Sequence, residues 1–135
     1  MTIEKQLPST RTSEIDSICS KANVIPVLTI ERLEDAVPLG RALVEGGLTV
    51  LEVTLRSDCA LDAIRRMCEA LPNASIGAGT VLTTAQYRQV EQAGVDFVVT
   101  PGTTDSLYRY GVSSPVPMLP GVATISALMN GWQYG

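Results

Sequence analysis

Five strand-like apolar runs, each followed by a segment with helical periodicity, constrain the fold of this chain more than any other feature of its sequence. The runs cover residues 24–29, 49–55, 75–81, 96–100 and 116–119. A strand, a helix and a second strand in succession predict parallel strands, because the helix returns the chain to its starting edge. We therefore expect an α/β fold whose parallel sheet is either open and doubly wound or closed as a barrel.

A polar tail and one domain account for the whole sequence. Residues 1–12 are polar, and Ser13 is placed to cap a short amphipathic helix that leads into the first strand. The chain has 135 residues, of which 45% are apolar, and this is enough for one hydrophobic core. We expect a single domain over residues 13–135.

The helices between the strand-like runs have recognisable beginnings. Thr83 and Gln86 form a capping-box pattern before one helix, and Ser57 or Asp58 is a candidate cap for another. Pro38 falls inside the first helical segment after the first strand, where it predicts a late start or a kink.

The second run, TVLEVTLRSD at residues 49–58, places a glutamate and an arginine in what otherwise resembles a buried strand. Alternate residues of a strand share a face, so Glu52, Thr54 and Arg56 point to one side and apolar residues to the other. An open sheet covered on both faces would bury the Glu52 carboxylate in hydrocarbon, which costs several kcal/mol. A barrel avoids this cost, because its inner face opens at the carboxyl ends of the strands, where barrel enzymes have their active sites. We therefore favour a barrel, with these three side chains at its mouth.

The third run, SIGAGTV at residues 75–81, is expected to add a hydroxyl at the same mouth. Ile76, Ala78 and Thr80 share one face, which we take to be the inner one, with Thr80 at its top. Gly77 and Gly79 would let a neighbouring group approach the strand. Glycines also follow the fourth and fifth runs, in TPGTT and LPGVAT, where they leave room for a ligand or only make tight turns.

These polar groups suggest a site for an anionic substrate. The Arg56 guanidinium can bind a carboxylate or phosphate through two hydrogen bonds, and Thr80 can add a third. A half-buried Glu52 is a candidate general acid–base, although burial and the neighbouring arginine shift its pKa in opposite directions. The alternative is that Glu52 and Arg56 form only a structural salt bridge, and the strand pattern favours neither interpretation.

Composition excludes several classes of function. The net charge of −4 and the lack of lysine or arginine runs argue against nucleic acid and anionic membranes as partners. The chain has no histidine, so imidazole bases and HExxH zinc sites are impossible. Cys19, Cys59 and Cys68 fit neither a disulfide framework nor a zinc spacing and are expected to be buried free thiols. We find no signal peptide or membrane-length apolar run, and expect a cytoplasmic protein.

The segments LEVTLRS, GAGTVL, FVVTPGTT and PMLPGVAT resemble, in this order, the class I aldolases that cleave 2-keto-3-deoxy-6-phosphogluconate or 4-hydroxy-2-oxoglutarate. The resemblance implies the fold of that family, a TIM (βα)8-barrel, here with a leading helix and about the first five βα units. It also implies cleavage of 2-keto-3-deoxy-6-phosphogluconate to pyruvate and glyceraldehyde 3-phosphate, as in the Entner–Doudoroff pathway. The resemblance further implies that the reaction needs no cofactor or metal and that the protein is a homotrimer.

The same resemblance assigns roles to individual residues. Glu52 matches the glutamate that moves protons, Arg56 the arginine that holds the pyruvyl carboxylate, and Thr80 the threonine that assists it. Pro101 and Gly102 match a turn that walls the pocket. The expected partner is a small keto acid, either pyruvate or a phosphorylated keto-deoxy sugar acid.

The sequence departs from the family in one essential feature. Members form a Schiff base through a lysine in a Lys-x-Phe-Pro-like segment that would begin beyond Gly135, whereas the lysines here are Lys5 and Lys21. Lys21 belongs to the predicted leading helix, which in the family lies at the opposite end of the barrel from the chemistry. We expect the 135-residue chain to be inactive alone. The alternative is a non-catalytic, carboxylate-binding half-barrel that assembles with another chain.

Overall fold

The computed structural model describes residues 9–134 as one parallel sheet with helices between successive strands. A single 3₁₀ turn, Leu33–Asp35, immediately precedes the second helix. In chain order the elements are α1 (Ser9–Cys19), β1 (Val27–Leu28), α2 (Ala36–Glu45), β2 (Val50–Thr54), α3 (Ala60–Ala70), β3 (Ser75–Gly79), α4 (Thr84–Gln92), β4 (Phe97–Thr100), α5 (Asp105–Ser113), β5 (Met118–Pro120) and α6 (Ile125–Trp132).

The order of the strands decides between the two expected kinds of sheet. All pairs are parallel, and the order β1-β2-β3-β4-β5 follows the sequence without a reversal. A doubly wound sheet needs a point at which the order reverses, so that helices cover both faces. Right-handed crossovers that always proceed in one direction instead place their helices on one face, as in a barrel. The fold is therefore α/β of the TIM-barrel type, with five strands present.

The outer face of the sheet packs on the helices and forms the main core. Leu51 and Val53 of β2 are fully buried and belong to the same apolar cluster as Ile64 and Met67 of α3. Hydrocarbon removed from water here contributes about 25 cal/mol per Å2. The prediction that one face of β2 is apolar is confirmed.

The inner face is closed at the amino ends of the strands by α1. Ile18 of this helix forms a second apolar cluster with Val50 of β2 and Phe97 of β4, all three buried. The prediction of a helix here is confirmed, but the predicted beginning at Ser13 is wrong, because the helix begins at Ser9. Residues 1–8 of the predicted polar tail lie outside the described residues.

The predicted helix starts are confirmed in part. Thr83 accepts a hydrogen bond from the Gln86 backbone N–H and caps α4. Helix α2 starts late, with Pro38 in its first turn, where a missing N–H breaks no helical bond. Neither Ser57 nor Asp58 caps α3, whose N-cap position is Cys59. The Ser57 hydroxyl instead donates to the Ile30 carbonyl and links this loop to the segment that follows β1.

The sheet of the described residues ends at β1 on one side and at β5 on the other. An apolar groove of about 600 Å3 lies beside β5, with Tyr108, Met118, Leu128 and Trp132 among the residues that line it. Trp132 is 62% exposed here. None of the helices in residues 9–134 combines the length and apolar composition that crossing a membrane requires.

Candidate active site

Strand β2 holds Glu52 on the inner face of the sheet. Glu52 is half-buried, while the other four residues of the strand are buried. It pairs with Val27 of β1 on one side and with Gly77 of β3 on the other, and its backbone N–H donates to the Pro26 carbonyl at 3.0 Å. The side chain leans toward the carboxyl end, because its carboxyl group lies against Gly79 rather than Gly77. The backbone under Glu52 is therefore fixed from both sides.

The surroundings of Glu52 shift its pKa upward. Burial raises the pKa of the Glu52 carboxyl above its usual value, and the positive charge of Arg56 opposes this rise without cancelling it. The sequence left the direction of this shift open. A carboxyl group with a raised pKa can both donate and accept a proton nearer to neutral pH than an ordinary glutamate can.

Arg56 lies two residues beyond the end of β2 and is exposed. The salt bridges in the described part of the chain involve Arg32 and Arg65, and none joins Arg56 to Glu52. A structural salt bridge between Glu52 and Arg56, the alternative left open by the sequence, is therefore wrong. The guanidinium is close enough to influence the carboxyl group and keeps its donors available for an anion.

Thr54 does not line an open mouth, as the sequence had suggested. It is fully buried, and its hydroxyl donates to the Leu28 carbonyl at 3.0 Å and lies 3.1 Å from the Thr29 hydroxyl. A buried hydroxyl needs such partners, since leaving it unpaired is costly. Thr54 therefore joins β2 to β1.

The face predicted for β3 is also wrong. Ile76 and Ala78 belong to the outer apolar cluster beneath the helices, whereas Gly77 and Gly79 face inward. The strand ends at Gly79, and Thr80 adopts a φ of 59° in the left-handed region. Strand alternation ceases to apply at such a residue. Thr80 is half-buried and directly follows the glycine that contacts the Glu52 carboxyl, so its backbone lies at the same mouth.

The loops after β4 and β5 are held together at this end of the sheet. The hydroxyl of Thr100, at the end of β4, lies 2.7 Å from that of Thr103 and accepts from the Gly121 N–H at 3.3 Å. Gly121 has no space for a Cβ, because the backbone of Thr100 and Pro101 lies there. Pro101 and Gly102 are exposed, and a Cβ on Gly102 would meet nothing within 4 Å. Gly121 is therefore needed for close packing of the two loops, whereas Gly102 borders open space.

Lys21, the lysine within the described residues, lies just after α1 rather than in it, and away from this mouth. Lys21 donates through Nζ to the Ser75 hydroxyl at 3.0 Å, which places it at the amino end of β3. The three cysteines are free and half-buried rather than fully buried. Burial, with Asp96 nearby, raises the pKa of the Cys68 thiol to about 11. No described amine faces Glu52.

The fold and the site together define a class: a βα-barrel protein, with five βα units among residues 9–134, that carries a half-buried carboxyl group of raised pKa and a guanidinium outside any ion pair of those residues at the carboxyl ends of its strands. A sequence profile of the family described as KDPG and KHG aldolase matches residues 15–135. The chain belongs to this family.

Individual relatives agree with this assignment. The 2-dehydro-3-deoxy-phosphogluconate aldolase of Pseudomonas aeruginosa is 49% identical over 125 residues, which are 93% of this chain and 57% of that protein. The KHG/KDPG aldolase of Escherichia coli K12 is 46% identical over 120 residues, which are 89% of this chain and 56% of the relative. The chain thus spans little more than half the length of the curated relatives it matches.

Solved structures give the same result. The 2-keto-3-deoxy-6-phospho-gluconate aldolase of Zymomonas mobilis superposes with a TM-score of 0.86 at 49% identity, over 90% of this chain and 58% of that one. The KDPG aldolase of Legionella pneumophila gives a TM-score of 0.86 at 44% identity, over 88% of this chain and 58% of that one. In that structure pyruvate is captured as a covalent carbinolamine intermediate.

Proposed function

We propose that this chain carries the proton-transfer and carboxylate-binding part of a class I aldolase of the KDPG and 4-hydroxy-2-oxoglutarate type. The reaction would cleave a phosphorylated 2-keto-3-deoxy sugar acid to pyruvate and glyceraldehyde 3-phosphate. One observation carries the proposal: Glu52, a carboxyl group with a raised pKa, faces inward beside Arg56, which forms no ion pair among residues 9–134.

Each group has a role that follows from its chemistry. Arg56 binds the carboxylate of the keto acid through charge-assisted hydrogen bonds. Glu52, when protonated, gives a proton to the carbinolamine hydroxyl, which leaves as water as the imine forms; the resulting carboxylate accepts a proton during carbon–carbon cleavage. Thr80 assists Arg56 at the carboxylate, and Pro101 and Gly102 wall the pocket.

We infer that the amine that forms the Schiff base is neither Lys5 nor Lys21, the lysines of this sequence. In the family it belongs to a later Lys-x-Phe-Pro segment, and the relatives are longer than this chain. We therefore propose that the 135-residue chain alone is inactive. The functional protein is proposed to be a cytoplasmic homotrimer.

Trapping with borohydride tests the inactivity of the chain. Incubation with pyruvate and sodium borohydride should leave the mass of the chain unchanged, because no described amine faces Glu52. A stable adduct on Lys5 or Lys21, located by peptide mass spectrometry, would contradict the proposal. The full-length Zymomonas mobilis aldolase, treated in parallel, is the positive control.

Binding of pyruvate tests the site itself. Hydrogen bonds to a charged group contribute about 1.5–3 kcal/mol, so Arg56→Ala should weaken pyruvate binding roughly ten- to hundredfold in an NMR titration. Arg66→Ala is the matched control, because Arg66 is also exposed and forms no ion pair among the described residues. Equal binding by the Arg56 variant and the control would refute the assignment.

A second candidate is supported by the groove beside β5. A non-catalytic half-barrel that binds carboxylates and assembles with another chain would need an uncovered apolar surface, such as this groove of about 600 Å3. Sedimentation separates the candidates: a defined dimer with cooperative melting favours the assembling half-barrel, and a monomer that binds pyruvate favours the inactive part of an aldolase.

A further inference from the structure

Gly79, the last residue of β3, lies in close contact with the carboxyl group of Glu52. An ideal Cβ on Gly79 would clash with Oε1 of Glu52, and would lie 2.8 Å from its Cδ and 3.0 Å from its Cγ. Real Cβ atoms do not approach other heavy atoms so closely. The Glu52 carboxyl group therefore occupies the space that any side chain at position 79 would need.

The backbone at this point has little freedom to retreat. Gly79 is buried, pairs with Thr54 across the sheet, and accepts a hydrogen bond from the Leu55 N–H at 2.9 Å. Its φ lies outside the left-handed region, so alanine could adopt the same backbone conformation without strain. The obstacle to a side chain at this position is thus steric, and it is the side chain of Glu52, which would have to shift.

We propose that Gly79 is a positioning residue, whose missing side chain forms a niche that holds the Glu52 carboxyl group against the backbone of β3. Glu52 is the acid–base group of the proposed function, and the catalytic meaning of the niche rests on that proposal. Gly77, on the same face, provides a comparison, since the ring of Phe97 occupies the space that a Cβ of Gly77 would need. The two glycines of the GAG segment therefore contact different groups: Gly77 contacts an aromatic ring and Gly79 contacts a carboxyl group.

The niche has an electrostatic consequence. Contact with the strand excludes water from one side of the carboxyl group, and burial is the larger influence on its pKa, with Arg56 the opposing charge. A methyl group at position 79 would push the carboxyl group toward solvent. We expect its pKa then to fall toward about 4.3, the value of an ordinary glutamate.

A double-mutant cycle on the 135-residue chain tests the niche. Gly79→Ala should lower the melting temperature of the wild type but have little effect in a Glu52→Ala background, which lacks the Cγ, Cδ and Oε1 atoms that collide. Gly46→Ala is the control, because Gly46 ends α2 in a right-handed helical conformation and should show no coupling to Glu52. An equal loss of stability in both backgrounds would overturn the proposal. If Gly79→Ala alone does not fold, folding of the double variant supports the niche and its failure to fold overturns it.

Titration by NMR separates positioning from a purely structural role. With 13C-labelled glutamate, and Glu52→Gln for assignment, the Glu52 pKa should be lower in Gly79→Ala than in the wild type and unchanged in Gly46→Ala. An unchanged value in Gly79→Ala would overturn the proposal. Neither measurement requires pyruvate or catalysis, so failure of the proposed function and failure of the niche are distinguishable.

Discussion

Replacing Phe97 by alanine should be among the most damaging single changes to this fold. Phe97 is 1% exposed, and its ring lies over Gly77 on the inner face of the sheet. It also packs with Val50 of β2 and Ile18 of α1. Truncation would leave a cavity between the sheet and the helix that closes it. Gly77 has no side chain with which to fill that cavity.

The expected loss of stability follows from the burial of Phe97, and the expected fall in melting temperature from the length of the chain. Phe→Ala in a core costs about 3–5 kcal/mol, a large fraction of the roughly 5–15 kcal/mol that stabilises a domain. The entropy of unfolding of about 2.1 cal/mol/K per residue gives about 280 cal/mol/K for 135 residues. Each kcal/mol therefore lowers the melting temperature by about 3.5 °C, and Phe97→Ala by about 11–18 °C.

Thermal unfolding followed by circular dichroism measures this effect. Trp132→Ala is the control, because it removes a larger ring from a residue that is 62% exposed, and should change stability by only about 0.5 kcal/mol. Equal melting temperatures for the Phe97 and Trp132 variants would refute the conclusion that α1 and the inner face form a packed core.

Three further predictions concern single groups. The pKa of Glu52 is higher in the folded state than its unfolded-state value of about 4.3. The stability that the protonated Glu52 carboxyl contributes is therefore present below about pH 4.3 and is lost as the pH rises through the folded-state pKa. Glu52→Gln cannot ionise and should therefore gain stability relative to the wild type between pH 4 and 7 in urea titrations; a constant difference would contradict the shift. Tyr87 is fully buried and donates to the Val116 carbonyl at 2.7 Å, so Tyr87→Phe should cost about 1–3 kcal/mol by urea unfolding, and an unchanged midpoint would contradict the bond. With a pKa of about 11, Cys68 should react with iodoacetamide at pH 8 roughly a hundredfold more slowly than an ordinary thiol, and regain the ordinary rate in urea; an ordinary rate in the native chain would refute this.

Strand alternation predicted the inward face correctly for β2 but wrongly for β3. The alternation of β2 correctly separated Glu52 from the apolar face, because the strand is regular from Val50 to Thr54. In β3 the same reasoning chose the wrong face, since it assigned the larger apolar side chains of Ile76 and Ala78 to the interior of the barrel. The inner face is instead narrow enough to need glycine, where Phe97 and Glu52 from neighbouring strands fill the space.

The role of Gly79 had only a weak signal in the sequence. Glycines at alternate positions of a strand indicate that something approaches the backbone closely, but they do not say what. The identity of the neighbour depends on the register between β2 and β3 and on the direction of the Glu52 side chain. Both are set by packing between segments more than twenty residues apart.

The sequence by itself determined the βα alternation, the parallel sheet and the presence of an acid and an arginine on one side of β2, because these depend on local periodicity and composition. Only the tertiary structure decided which face of β3 points inward, that Glu52 and Arg56 form no salt bridge, and that the Glu52 pKa is raised. Such properties depend on how much water and which neighbouring atoms surround a group. Those surroundings are assembled from separate strands and cannot be derived from the order of residues within any one of them.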